Sequence, residues 1–165
     1  MGDQVIVPVG IGELRVSNSL QEVLIAYGLG SCIGVSVYDP HAKVAGLAHV
    51  MLPNSKEALS QKPLGKFADL AVPMLLEEIR RLGGQPRRLV GKIAGGAQML
   101  IGTGFSQNGF NIGERNIHAV KAAMERHGIS LVNADIGGNR GRTMALHVGT
   151  GRTTVRIIGE KEKEL

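Results

Sequence analysis

Gly28-Leu-Gly-Ser-Cys-Ile-Gly-Val-Ser-Val-Tyr-Asp39, then Pro40-His41-Ala42, then Lys43-Val-Ala-Gly-Leu-Ala-His-Val-Met51, is the stretch on which the reading of this chain turns. Residues 32–39 carry the β-branched alternation of a strand, residues 39–42 are turn chemistry, and residues 43–51 read as a returning strand. The segment therefore predicts a β-hairpin. A two-residue loop at Pro40-His41, or a four-residue loop at 39–42, places Cys32 directly opposite His49. Opposed residues on antiparallel strands share a face with Cβ atoms about 4.5–5.5 Å apart, which brings thiol and imidazole toward hydrogen-bond reach. A three-residue loop would turn His49 to the other face. Cys32 and His49 are thus a candidate nucleophile and base; the alternative is an inert buried thiol. Gly28 and Gly30 permit backbone conformations closed to other residues. They can aim N–H groups at a bound carbonyl, which makes Gly30, Ser31 and Cys32 the candidate oxyanion support.

Composition bounds the remaining possibilities. A chain of 165 residues, 43% hydrophobic and 20% charged, predicts one globular domain over residues 1–159 with a charged, fraying tail at 160–165. The single cysteine excludes an intramolecular disulfide framework. With no signal-peptide pattern and no long apolar run, a soluble cytoplasmic protein without membrane insertion is expected. The net charge of +5 and pI near 9.7 favour acidic partners. Nucleic acid is not expected among them: there is no zinc-finger spacing or trustworthy helix-turn-helix pattern, and few aromatics could stack on bases. Arg80, Arg81, Arg87 and Arg88, and Arg140, Arg142, Arg152 and Arg156, read as solvated.

Strands are predicted at 4–9, 22–27, 88–94, 129–135, 144–148 and 153–158, with a polar loop at 53–65 and a glycine-containing loop at 101–109. Phe67, Leu70, Ala71, Met74, Leu75, Ile79 and Leu82 recur at helical spacing, with Pro73 predicted to kink or restart that helix. Asn111 and Glu114 form a capping-box pattern for a second helix through His127, with Ile117, Val120 and Met124 on its buried stripe. Gly28-Leu-Gly30 with Gly34 precedes a strand rather than a helix, so it is not a dinucleotide fingerprint. Gly91-Lys92 lacks the remainder of a phosphate loop. The five histidines have no metal-binding spacing and the lone cysteine supplies no zinc cluster, so no metal site is expected.

Five segments, in order, resemble the CheD family of chemoreceptor glutamine deamidases: Gly28-Leu-Gly-Ser-Cys-Ile-Gly34, Ala45-Gly-Leu-Ala-His-Val-Met-Leu-Pro53, Ile93-Ala-Gly-Gly-Ala97, Asn111-Ile-Gly-Glu-Arg-Asn116 and Gly137-Gly-Asn-Arg140. The resemblance implies an α/β (α+β) layered sandwich with mixed β-sheets and flanking helices, similar to deamidase toxins of the cysteine-hydrolase type. It implies hydrolysis of selected glutamine side chains to glutamate on methyl-accepting chemotaxis receptors, with no cofactor, and binding to the phosphatase CheC. Cys32 matches the family nucleophile and His49 its histidine. The third catalytic position, commonly Thr, is occupied here by Ala26, which has no side-chain donor. Either a backbone carbonyl, a water or another side chain then holds His49, or activity is reduced. The alternative is an adaptor that binds receptor and CheC with little or no turnover.

Overall fold

Side-chain alternation along two neighbouring strands, β4 (Ile33–Asp39) and β5 (Val44–Val50), sets the layering of the molecule. Both are buried along their whole length, so each face needs its own cover. One face presents Ile33, Val35, Val37, Val44, Ala48 and Val50 to two helices, and the other presents Tyr38, Ala45 and Leu47 to a second sheet. The computed structural model describes residues 2–60, 62–99 and 111–165.

The two sheets have five strands each. The first runs β1 (Val5–Pro8), β3 (Glu22–Leu29), β8 (Arg142–His147), β9 (Thr153–Ile157) and β10 (Lys163–Glu164). The second runs β2 (Leu14–Ser17), β5, β4, β6 (Val90–Gly95) and β7 (Ser130–Ile136). Both are mixed: β1 with β3 and β6 with β7 are parallel pairs, and the others are antiparallel. Helices α1 (Ala68–Arg81) and α2 (Ile112–Arg126) cover the outer face of the second sheet through Ala71, Val72, Leu75, Ile79, Val120 and Met124. The result is the mixed-sheet sandwich with flanking helices that the resemblance implied.

Several local expectations need correction. The hairpin pairs Asp39 with Val44 and Gly34 with His49, so Cys32 does not stand directly opposite His49. The loop is the four residues 40–43, one step later than expected, because Asp39 stays in the strand. Its buried carboxylate accepts from the His41 and Ala42 N–H groups, and Lys43 closes the turn with a left-handed φ of 52°. Pro73 does not restart α1: the helix runs through it, the buried face outweighing one missing backbone bond. The charged tail does not fray, since Lys163 and Glu164 pair with β9. Leu165 packs against the inter-sheet core, and its carbonyl accepts from the Lys92 ammonium. Arg88, also expected to be solvated, pairs with the buried Asp39 carboxylate, and Arg142 is not solvated either. It is buried, paired with Asp135, and donates to the carbonyls of Asp135, Gly137 and Arg140. The N-cap stands, Asn111 Oδ1 accepting from the Glu114 N–H at 3.1 Å, and the return bond of the capping box is replaced by one from Asn111 Nδ2 to the Glu114 carboxylate at 3.2 Å. The loop expected at 101–109 lies outside the described residues.

Candidate active site

Three chain segments cross from one sheet to the other at the same end of the sandwich: 9–13 between β1 and β2, 30–32 between β3 and β4, and 137–141 between β7 and β8. Cys32 is the last residue of the second crossing. His49 lies next to the end of β5, with its N–H donating to the Glu13 carbonyl and its own carbonyl accepting from Gly12. Crossing geometry, rather than strand pairing alone, therefore positions both groups.

The corrected register still leaves them on one face. His49 is opposite Gly34, and Gly34 is two residues from Cys32, so the period of two returns the thiol to the side of the imidazole. Such diagonal neighbours are about 7–8 Å apart along the sheet, within reach of long or ring side chains. Both face the inter-sheet core, where Cys32 packs with Ala26, Leu29, Ala94 and Met144. Cys32 is 8% exposed and His49 only 2%.

The first crossing supplies a hydrogen-bond partner for the His49 ring. The Val9 N–H donates to the Ile25 carbonyl, extending the parallel pairing of β1 with β3 to the neighbourhood of Ala26. The Val9 carbonyl lies 3.0 Å from His49 Nδ1. A carbonyl can only accept, so this contact places the proton on Nδ1 and leaves Nε2 as the basic nitrogen of the neutral ring. Among the described residues that Nε2 is buried and has no hydrogen-bond partner. The side chain of Ala26 is buried in the same core.

Burial lowers the His49 pKa below the usual imidazole value, with the Val9 contact and the nearby Glu13 charge opposing it in part. Burial likewise raises the Cys32 pKa above the ordinary thiol value. Both shifts favour the neutral thiol and the neutral imidazole over a thiolate–imidazolium pair.

The backbone around Cys32 is fixed through its carbonyls. Those of Gly30 and Cys32 accept from Ala97 and Gly96 N–H groups at 2.8 and 2.9 Å, and that of Ser31 accepts from Asn116 Nδ2 at 2.9 Å. Gly95, at φ 115°, passes so close to the Cys32 carbonyl that a side chain there would collide with it. Of the two glycines expected to shape the loop, Gly28 takes a left-handed φ of 65°, whereas Gly30 does not take a positive φ. Among the described residues no backbone carbonyl accepts from the N–H of Ser31 or Cys32.

Two contributors escaped the sequence reading. The Val9 carbonyl is a backbone group and leaves no residue-type signal. Asn116 did leave one: it is an amide on the same helical face as Val120 and Met124, where an apolar residue would be expected.

The wider comparisons agree with this architecture. In the solved structures, a Neisseria meningitidis protein, NMB0706 of family DUF152, shares the fold at TM-score 0.50 with 8% identity, over 82% of this chain and 64% of that one. A family model described as CheD chemotactic sensory transduction matches residues 51–157. Relatives extend the match across the amino-terminal part. A Desulforamulus reducens protein named as a probable chemoreceptor glutamine deamidase CheD is 46% identical, covering 95% of this chain and 93% of its own. The Thermotoga maritima chemoreceptor glutamine deamidase CheD is 45% identical, covering 94% of each. No helix among the described residues is long and apolar enough to cross a membrane. By family match and by full-length similarity, the chain belongs to the CheD family.

Proposed function

We propose that this protein hydrolyses glutamine side chains of chemotaxis receptors to glutamate, with Cys32 as nucleophile and His49 as proton carrier. The names of its relatives support the substrate. One observation carries the chemistry: His49 donates from Nδ1 to the Val9 carbonyl and holds a basic, unpartnered Nε2 on the face that Cys32 shares.

The reaction begins from the neutral pair. As Cys32 Sγ forms a bond to the glutamine carboxamide carbon, its proton passes to His49 Nε2, so that no free thiolate accumulates. The carbonyl oxygen gains the negative charge. The N–H groups of Ser31 and Cys32 are available to receive it, since no backbone carbonyl among the described residues accepts from them. The C–N bond then breaks, and the imidazolium returns its proton to the nitrogen, which departs as ammonia. Water adds to the thioester as Nε2 takes its proton, and the C–S bond breaks as the imidazolium returns that proton to sulfur, leaving glutamate and free thiol. The Val9 carbonyl stabilises the imidazolium in both halves, the service that a threonine at position 26 would otherwise give.

An acidic receptor helix suits a chain of net charge +5, and CheC as a second partner rests on the family resemblance. The test is mass spectrometry of receptor peptides after incubation with wild type and Cys32→Ala. Wild type should convert particular glutamines to glutamate and release ammonia, and the variant should not. Tight receptor binding without conversion by wild type would instead favour an adaptor.

A further inference from the structure

Asn116 is fully buried on α2, 0% exposed, and its Nδ2 donates twice: to the Ser31 carbonyl at 2.9 Å and to the Met51 carbonyl at 2.9 Å. Ser31 precedes Cys32, and Met51 follows His49 by two residues. One primary amide therefore spans the open end of the hairpin and joins the two segments that carry the thiol and the imidazole. Two carbonyl acceptors on one atom also settle which end of the amide points there, because Oδ1 in that place would face both carbonyls without a hydrogen to share.

The bond is anchored on the helix side. Gly113, in the first turn of α2, lies against the Gly96 and Ala97 carbonyls so closely that a side chain there would strike both. The N–H groups of Gly96 and Ala97 hold the Cys32 and Gly30 carbonyls. Helix, glycine loop and crossing thus form one closed set of contacts around Ser31. The other half of the amide is not used: among the described residues Asn116 Oδ1 is buried and accepts nothing. Leucine or methionine would fill the same volume but leave the Ser31 and Met51 carbonyls without this donor, so the amide is kept for the two bonds it makes.

We propose that Asn116 is a positioning residue for the deamidation: its Nδ2 clamps the Ser31 and Met51 carbonyls together and so fixes the approach of Cys32 to His49. This rests on the Cys32–His49 reading above. Because the clamp acts on the distance and angle of proton transfer, its loss lowers turnover and leaves receptor affinity alone. It also disturbs the reaction of the thiol with a small electrophile, in which the receptor takes no part.

The test compares wild type with Asn116→Leu, which removes both donors and the unused acceptor at similar volume, and with Asn116→Ala. Three readouts are taken: thermal unfolding, kcat and KM for ammonia release from a receptor signalling domain, and the pH profile of Cys32 alkylation by iodoacetamide. The expected result is a folded variant with kcat reduced at least tenfold, KM within twofold, and an alkylation profile displaced from that of wild type. A folded variant with wild-type kcat and an unchanged alkylation profile overturns the proposal. If wild type itself releases no ammonia, the deamidase reading fails while the alkylation profile still judges the clamp. Should both variants fail to fold, the wild-type protein decides by NMR. Two side-chain amide protons of Asn116 protected from exchange support the clamp, and a freely exchanging amide overturns it.

Discussion

The two ends of the β4–β5 hairpin are built on opposite principles. At the turn end, Asp39 is fully buried, and its carboxylate accepts from the His41, Ala42 and Gln85 N–H groups and from both Nε and Nη2 of Arg88. Burial pushes its pKa up, but Arg88 and the three N–H groups outweigh that and hold the carboxyl well below the usual carboxylate range. At the open end, His49 Nε2 and Asn116 Oδ1 are buried and unpartnered among the described residues. Unpaired buried polar atoms cost stability, roughly 1–3 kcal/mol each in typical proteins. The turn end fixes the register with a fully paired carboxylate, and the open end carries buried polar atoms left without partners, the kind of cost that the proposed chemistry would explain.

The largest contrast should come from substitutions that remove the reacting atoms. Cys32→Ala is expected to lower turnover about 10³-fold or more with the fold intact, and His49→Ala nearly as much, since groups acting as a unit are not additive. Ammonia release from receptor, read beside thermal unfolding, checks this; wild-type rates in either folded variant would erase the distinction between the two ends.

Asp39→Ala probes the other end. It strands the Arg88 guanidinium and frees three N–H groups, and is expected to cost about 3 kcal/mol of folding stability with turnover of the folded fraction within about twofold of wild type. A normal denaturation midpoint in urea would show that the turn does not depend on this carboxylate. Gly95→Ala sits between the two behaviours. It drives a methyl group into the Cys32 carbonyl from a left-handed backbone, so both stability, by about 1–3 kcal/mol, and turnover should fall together.

Ala26→Thr refines the comparison by a smaller effect. With the Val9 carbonyl already on Nδ1, an added hydroxyl has no vacant role, and the site at position 26 is closed. Turnover should not rise, and overpacking should cost about 1–3 kcal/mol. A stable variant with tenfold faster ammonia release would mean that the carbonyl holds the ring poorly.

These outcomes also mark what the sequence made legible. Alternation in residues 32–39 and 43–51 was sufficient for the hairpin and for which residues share a face. The register depended on whether Asp39 ended the strand or began the turn, and that was decided by Arg88 and Gln85, which are remote in sequence. The error was two residues, so the shared face survived it; one residue would have reversed it. β2 and β10 were not anticipated, since a four-residue and a two-residue strand carry too little alternation to rise above their charged neighbours. The Val9 carbonyl could not be foreseen, because an orienting backbone group is created by the path of the chain.

A subtler check concerns stability against pH. Burial lowers the folded-state pKa of His49, so its contribution is fully present above the unfolded value near 6.5 and is lost as pH falls through the lower folded value. Cys32 acts on the other side: with its folded pKa raised, its contribution is lost as pH climbs from about 8.5 through the higher folded value. His49→Gln should flatten the acid limb of the urea-unfolding profile, and Cys32→Ser the alkaline limb. Unchanged limbs would assign them to other groups.

The central claim is that His49 waits as a neutral ring with its proton on Nδ1 and its basic Nε2 free for the Cys32 thiol. Nitrogen NMR of the labelled His49 ring, followed across the range in which imidazoles titrate, measures this directly. Nδ1 should be protonated and Nε2 unprotonated at neutral pH, with the ring charging only below the usual imidazole range. A proton on Nε2 in the neutral ring, or an imidazolium that persists above neutral pH, would contradict it.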